Sequence, residues 1–383
     1  MTVPMTSTQT TKEERDELRS VTRAFLAREV PPVDLRITPE RGYPYDPAAW
    51  TSMSESLGLQ GLIVPDELGG LAMGVRELAV VCEELGRALY NGPFLASSVI
   101  ASTLLSHGGA AASTVLAELA TGETIATVLS DLLPFDLNAT TFRASSSGDG
   151  DVLVSGRSGF VLGAVESSLL LVPTATDAGL VIVGVDAHAP GVRIETLDSL
   201  DLLRSLSVVT LENAPGRILI DASTAKVALA RAVVSADIGL AAESIGAAQN
   251  ALEMTVEYVG NRVQFGRVIG GFQAVKHRCA DMLVQLEGAR SALFAALNAE
   301  SASLDECQRL ASLAKIQAAD AFFYIAGETV HLHGGIGFTF EHPAHLYYRH
   351  AKASQLLFGG RAEHQRALFR NLLPMYQPER ISE

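Results

Sequence analysis

Arg262-Val-Gln-Phe-Gly-Arg-Val-Ile-Gly-Gly-Phe-Gln-Ala-Val-Lys-His-Arg-Cys-Ala-Asp-Met282 is the stretch on which the reading of this chain turns. Upstream, Leu229 to Val259 runs without proline and is rich in Ala and Gly, which predicts a long helix ending near Tyr258. A loop with Gly266, Gly270 and Gly271 follows, and a new helix is expected to begin near Phe272. Arg262 brings five donors suited to bidentate phosphate binding. The new helix offers an anion its unpaired N–H groups and the positive end of its dipole. A plain helix–helix turn with a surface arginine would use the same residues, and physics alone leaves both readings open.

Some fifty residues on stands His331-Leu-His-Gly-Gly-Ile-Gly-Phe338, continued by Thr-Phe-Glu-His-Pro-Ala-His-Leu-Tyr-Tyr-Arg-His350. A helix should stop at this glycine cluster, where backbone can approach a flat or phosphate-bearing ligand without a Cβ in between. Five histidines (His331, His333, His342, His345 and His350) invite a metal reading. Their spacing puts no three on one helical face with an acidic partner, so no metal site is expected.

Outward from these motifs the chain has three textures. Residues 1–119 read as a helical domain, with apolar positions at helical spacing over Glu13–Arg28 and Arg76–Ala88 and a turn at Pro65–Gly70. Residues 120–222 carry short β-rich runs at Val152–Val154, Leu169–Val172, Leu180–Val185 and Leu206–Leu211, which suggest a small barrel or sandwich. Residues 223–383 are helical again, with further long patterns over Cys279–Leu297 and Leu304–Leu332. The expected class is a multidomain α+β fold: an N-terminal helical domain, a central small β-barrel and a C-terminal four-helix bundle.

The two glycine-bearing motifs together resemble the C-terminal domain of the acyl-CoA dehydrogenase family. The Arg-x-x-Phe-Gly…Phe-Gln-x-Val-Lys-His…Ala-Asp-Met and Gly-Gly-x-Gly-Phe runs carry the resemblance. The helix–barrel–helix order extends it over nearly the whole chain, and Pro65–Gly70 is similar to the family's Pro-Glu-x-x-Gly-Gly loop. The resemblance implies an FAD lying between two subunits. Arg262, Gln264, Phe265, Ile269, Phe272 and Val275, with His331 and the Gly334–Gly335 backbone, would touch the pyrophosphate and adenine half of a partner's flavin. His331 stands where the family commonly has Gln.

The same resemblance exposes what is missing. The family's reaction needs a base to take the acyl α-proton while a hydride leaves Cβ for the flavin, and a carboxylate fills that role. Its usual position corresponds here to Phe358 or Gly359, and neither accepts a proton. Some members carry the glutamate on the long helix instead, 26 residues before the motif arginine, where this chain has Ala236. Asp237 is adjacent but about 100° round the helix, and Glu243 shares the face about 10 Å further along. Either is a candidate relocated base, Glu243 in particular; the bland reading is a helix carboxylate held by hydrogen bonds or solvent. The flavin-ring run is eroded too: Thr124 to Asp136 keeps little of the family pattern beyond Ser130, and Gly159-Phe160-Val161 replaces a Trp-Ile-Thr/Ser run.

The half-site this chain would build for its own flavin ring is thus degraded, and the half it would lend across an interface is intact. That pattern resembles the glutamate-lacking subunit of heterotetrameric (α2β2) actinobacterial steroid side-chain acyl-CoA dehydrogenases. It implies an acyl-CoA thioester substrate, a paralogous catalytic partner and an electron-transfer acceptor. The alternatives are a homodimer or tetramer with a relocated base, and a non-catalytic regulatory or binding scaffold. A small-residue face on Leu229–Val259 permits a wide pocket, though close helix packing would read identically.

The bulk numbers agree with this class. A net charge of −14 leaves no basic face for nucleic acid. The three cysteines, Cys82, Cys279 and Cys307, form neither a metal pair nor a disulfide framework, which suits a reducing cytoplasm. No apolar run reaches the ~20 residues of a membrane span, and Met1 to Lys12 reads as a frayed tail.

Overall fold

The computed structural model describes residues 10–31, 45–130, 140–148, 151–299 and 301–372. Most of the expected N-terminal tail (residues 1–9) and part of the expected flavin-ring run (residues 131–136) lie outside them. The tail expectation is shortened at its inner end, because Thr11 already caps a helix. Its hydroxyl accepts from the Glu14 N–H at 3.2 Å while Glu14 Oε2 accepts from the Thr11 N–H at 2.7 Å, a reciprocal pair that satisfies two orphan donors.

The helix so capped is α1 (Lys12–Glu29), followed by α2 (Pro47–Leu57) and α3 (Val75–Arg87). Next comes α4, whose first part, Leu95–Ala101, is π-helical and continues as Ser102–Leu105, and then α5 (Ala110–Ala120). The Pro65–Gly70 turn is a short 3-10 turn, Asp66–Leu68, closed by Gly69 at φ +84°. The carboxylates of Glu83 and Glu84 on α3 draw Arg19 and Arg23 of α1 onto them at 2.7–2.9 Å.

Seven strands follow: β1 (Ala126–Val128), β2 (Phe142–Gly148), β3 (Asp151–Leu162), β4 (Leu169–Thr176), β5 (Gly179–Asp186), β6 (Val192–Thr196) and β7 (Leu206–Ile220). Pairings β4–β2, β2–β3, β3–β7, β7–β5 and β5–β4 close a ring, so the sheet is a barrel and not a sandwich. β1 joins β4 in parallel and β6 joins β7. Closure removes the free edges that an open sheet of this size would expose. Inside lie Phe142, Val154, Leu170, Val172, Val183, Val209 and Leu211, alternate residues of their strands.

The last part is α6 (Ala225–Asn261), a two-stranded hairpin β8–β9 (Val263–Gln264 and Arg267–Val268), α7 (Gln273–Asn298), α8 (Leu304–His333), α9 (Ala344–Leu356) and α10 (Arg361–Leu372). Among the described residues no helix is long and apolar enough to cross a membrane. Helix α6, 37 residues long, is buried through its middle, from Ala228 to Ala248, between α3 and the rest of the bundle.

Its small residues serve close packing at the crossing with α3. A Cβ on Gly246 would run into the Glu83 carbonyl, and one on Gly86 into the Glu243 carbonyl. The two backbones touch there. Gly246→Ala should therefore cost at least the ~1–3 kcal/mol of an overpacked core. Gly288→Ala on α7, with nothing within 4 Å of the new methyl, should gain about 0.5–1 kcal/mol from helix propensity. Urea midpoints of the isolated chain read both; a neutral Gly246→Ala would rule out the backbone contact.

Candidate functional site

The two sequence motifs meet in space. Tyr258, one turn before Arg262, stacks on His333, the residue before Gly334, with ring centroids 4.3 Å apart and planes 26° apart. The Tyr258 hydroxyl also donates to the His333 carbonyl at 3.4 Å. The ends of α6 and α8 are thereby pinned side by side.

Past that point α6 gives way to a hairpin whose two turn residues, Phe265 (φ +52°) and Gly266 (φ +77°), are both left-handed, the geometry that matches strand twist in a two-residue turn. Phe265 is 90% exposed; its ring meets Phe272 edge-on at 6.1 Å. Arg262 and Gln264 are exposed, and Ile269, Phe272 and Val275 are half-buried beside them. The Arg262 guanidinium has no ion-pair partner among the described residues. Other arginines among the described residues do: Arg19, Arg23, Arg87, Arg204, Arg278, Arg290, Arg309 and Arg361 all meet carboxylates.

Across the same edge His331, Gly334 and Gly335 are exposed, and nothing occupies the space where a Cβ would stand on either glycine. Behind them, the Thr329 carbonyl takes the His333 Nδ1–H at 2.7 Å. His333 Nε2 is then an acceptor, buried and without a hydrogen-bond partner among the described residues. Burial pushes the His333 imidazole below its ordinary pKa, so the ring stays neutral.

The position at which the family resemblance expects a base holds no carboxylate. Phe358 is buried with a left-handed backbone (φ +58°), and Gly359 follows at φ +95°. Both carbonyls are held from below. The Phe358 carbonyl accepts from His364 Nε2 at 3.1 Å, which leaves His364 Nδ1 to accept from the Ser312 hydroxyl at 3.0 Å. Lys315 donates to the Gly359 carbonyl and, at 3.2 Å, to that of Gln355. Burial drives the His364 imidazole down to about 4. Lys315 and Asp237 are buried together. Burial raises the Asp237 carboxyl, against the pull of the Lys315 charge, and lowers the Lys315 ammonium.

Ala236 is buried in the core. Glu243 has two partners: its Oε1 accepts from Arg204 at 2.6 Å and faces His350 Nε2 at 3.1 Å, while His350 Nδ1 faces Asp201 at 2.9 Å. Arg204 also donates to Ser354 at 3.0 Å. A histidine with a carboxylate on each nitrogen is an imidazolium. Burial alone would lower its pKa, but Asp201, outweighing it with Glu243, holds His350 above the ordinary value. Burial likewise opposes the charge on Glu243 and Asp201. Arg204 and His350 hold Glu243 low, and His350 and then Arg204 hold Asp201 low.

These directions fix a pH dependence. The raised His350 stabilises the fold below its unfolded pKa of about 6.5, and that contribution is lost as pH rises through the folded value. The lowered carboxylates stabilise above their unfolded pKa of about 4, and their contribution is lost as pH falls through the folded values. The quartet thus contributes most between roughly pH 4.5 and 6.5. His350→Gln should remove the fall in stability that the wild type shows as pH rises above about 6.5, read in urea titrations at stepped pH. A His350→Gln profile parallel to the wild type would refute the assignment.

Neither Asp237 nor Glu243 is a free carboxylate facing open space. Sequence reasoning found Glu243 but missed its partners, since Asp201, Arg204 and His350 come from a loop and a helix up to about 150 residues apart in the chain. Lys315 and His364 were missed too; a lysine inside an Ala-rich apolar helix is the one signal that pointed to a buried cation. A cleft of about 320 Å³ lined by Arg19, Arg23, Arg87 and Arg290 with Glu83, Glu84 and Glu253 is an ion-pair ladder joining α1, α3, α6 and α7.

Comparison with known proteins agrees with this layout. Residues 12–123 match the signature of the acyl-CoA dehydrogenase N-terminal domain, and residues 217–373 that of the acyl-CoA dehydrogenase C-terminal domain. The chain belongs to the acyl-CoA dehydrogenase family. It is 32% identical to the acyl-CoA dehydrogenase IpdE2 of Mycobacterium tuberculosis, over 91% of this chain and 94% of that protein. Among solved structures, the Tcur3481–Tcur3483 steroid acyl-CoA dehydrogenase variant superposes with a TM-score of 0.83 at 29% identity, covering 95% of this chain and 98% of that one. The ChsE4–ChsE5 complex from Mycobacterium tuberculosis gives 0.82 at 27% identity, covering 97% and 99%.

Acyl-CoA dehydrogenases bind FAD, and the edge described above suits its diphosphate end: an unpaired exposed guanidinium, a helix N-terminus at Phe272 and two open glycines. The half that would face the flavin ring is less well furnished. Phe160 projects from a bulge in β3, 70% exposed and left-handed at φ +57°.

Proposed function

We propose that this chain is the non-catalytic half of a paired acyl-CoA dehydrogenase. It lends the pyrophosphate and adenine half-site, with Arg262 at its centre, to the FAD of a catalytic partner that carries the glutamate. The observation that carries this reading is a contrast. The Arg262 edge is exposed and unpaired, while the chain's own base position falls on Phe358 or Gly359, in a loop bolted down by Lys315 and His364. When bound, FAD supplies the hydride acceptor for α,β-dehydrogenation of an acyl-CoA thioester. This chain's residues would hold the diphosphate, with Arg262 taking the phosphate charge and the Gly334–Gly335 backbone approaching the ligand closely. Phe265, Ile269 and Val275 would present an apolar surface to the adenine.

Two of the similar proteins are described as a steroid dehydrogenase variant and as a complex of unlike chains, which favours a steroid side-chain thioester and a two-plus-two assembly. The rival reading, a homodimer with Glu243 as base, is opposed by geometry. A base must reach the substrate and accept a proton; Glu243 is spent on Arg204 and His350 and held low. A scaffold without flavin leaves the exposed, unpaired Arg262 edge without a purpose.

Expression decides between them. Alone, the chain should purify colourless; co-expressed with a glutamate-bearing paralogue it should yield a yellow complex that passes electrons from an acyl-CoA to an acceptor. A yellow, active chain purified alone would overturn the proposal in favour of the homodimer, and a colourless, inactive protein in both cases would favour the scaffold.

A further inference from the structure

A pocket lies between α3, the π-helical turn of α4, the barrel rim and α6. Its walls include Leu85, Phe94, Leu95, Leu162 and Leu203, the apolar lining between helical domains and barrel that an acyl chain would need. All of it comes from this one chain. The free space is about 40 Å³, room for a few water molecules, whereas sites for small ligands run to ~300–1,000 Å³.

Charge takes up the missing volume. Arg204 and Glu243 both stand in the lining, and behind them Asp201 and His350 complete a set of two cations and two carboxylates that is neutral overall. The set is drawn from three places: the loop before β7, the middle of α6 and the middle of α9. Asp201 and His350 are 1% and 2% exposed. An acyl chain that displaced the Arg204 guanidinium would leave two carboxylates, Asp201 and Glu243, on one imidazolium, which is the costly way to break a buried ion pair. Glu243 has nowhere to retreat, because its own backbone carbonyl is the one pressed against Gly86 of α3.

We propose that the Asp201–His350–Glu243–Arg204 quartet is a built-in stopper in this chain's own acyl pocket. The chain takes up no acyl-CoA thioester, and a complex of unlike subunits binds one thioester per pair, in the partner's pocket. The second half of that statement rests on the paired-subunit reading above; the first half stands on the pocket alone.

Calorimetric titration with S-octyl-CoA, a thioether that cannot react, tests both. The lone chain should give no binding heat, and the flavin-loaded complex should saturate at one equivalent per unlike pair. Binding of one equivalent by the lone chain, or of two per pair by the complex, would overturn the stopper. The double substitution Arg204→Ala/Glu243→Ala removes one cation and one carboxylate, so Asp201 and His350 remain balanced. It should raise the complex to two equivalents per pair. A folded double variant that still binds one would show that something other than the quartet closes the pocket. Should that variant fail to fold, the two unaltered titrations still decide whether the pocket is closed. Failure of the paired-subunit reading shows separately, as flavin absorbance on the lone chain.

Discussion

Arg262→Ala should strip flavin from the paired complex without unfolding either chain. A guanidinium that donates to phosphate oxygens makes charge-assisted hydrogen bonds worth about 1.5–3 kcal/mol each way of counting. Losing them weakens binding by roughly 10- to 150-fold. Because Arg262 is exposed and has no partner of its own among the described residues, its removal should move the urea midpoint of the isolated chain by less than about 0.5 kcal/mol. Arg262→Lys keeps the charge but loses the planar fork, so its flavin content should fall between wild type and alanine. The ratio of flavin to protein absorbance after gel filtration measures all three. Full flavin occupancy in Arg262→Ala would remove the half-site assignment.

The second large effect is on stability. Lys315→Met deletes the cation that sits with Asp237 and that donates to the Gln355 and Gly359 carbonyls. The two carbonyls lose their donor, and each buried polar group left unsatisfied costs about 1–3 kcal/mol, a large share of a domain's total stability. Asp237→Asn/Lys315→Met should recover part of the loss, since the Lys315 charge pulls on the buried Asp237 carboxyl and changes at neighbouring sites are not additive. Denaturant midpoints of the four proteins form the cycle. A Lys315→Met protein as stable as wild type would mean the ammonium does not hold the Phe358–Gly359 loop.

The contrast between these two lysine and arginine predictions mirrors what the chain made legible. Local patterns were readable. Apolar spacing placed α1, α3 and the bundle helices; α6 ends at Asn261, just ahead of the glycine-bearing hairpin, and α8 at Gly334. The strands at Leu169–Val172 and Leu180–Val185 were plain because both are buried β-branched and leucine runs. β2 and β6 were not, being rich in Ser, Arg and Glu and held mainly by pairing to long neighbours. The Arg262 edge was readable because its members lie within two short motifs.

The stopper was not readable. Asp201, Glu243 and His350 carry no mutual spacing rule; only the fold brings a loop, a mid-helix position and a late helix to one point. The same is true of Lys315 and His364 beneath Phe358. The choice between a wide pocket and close packing along α6 also needed three dimensions. Gly86 and Gly246 settle it at the α3 crossing, because two backbones meet there and leave no room for a side chain.

The anchored loop at Phe358 has a further consequence, one of history. A glutamate restored there by a single substitution would enter a left-handed, buried position whose carbonyl is already engaged by His364. The pocket it would serve is closed separately by four charges on other elements. No one mutation undoes both, and each half-reversal leaves an unbalanced charge in the interior. A lineage that reached this arrangement faces no gradual road back to self-sufficiency, so dependence on a companion gene would persist by the cost of leaving it.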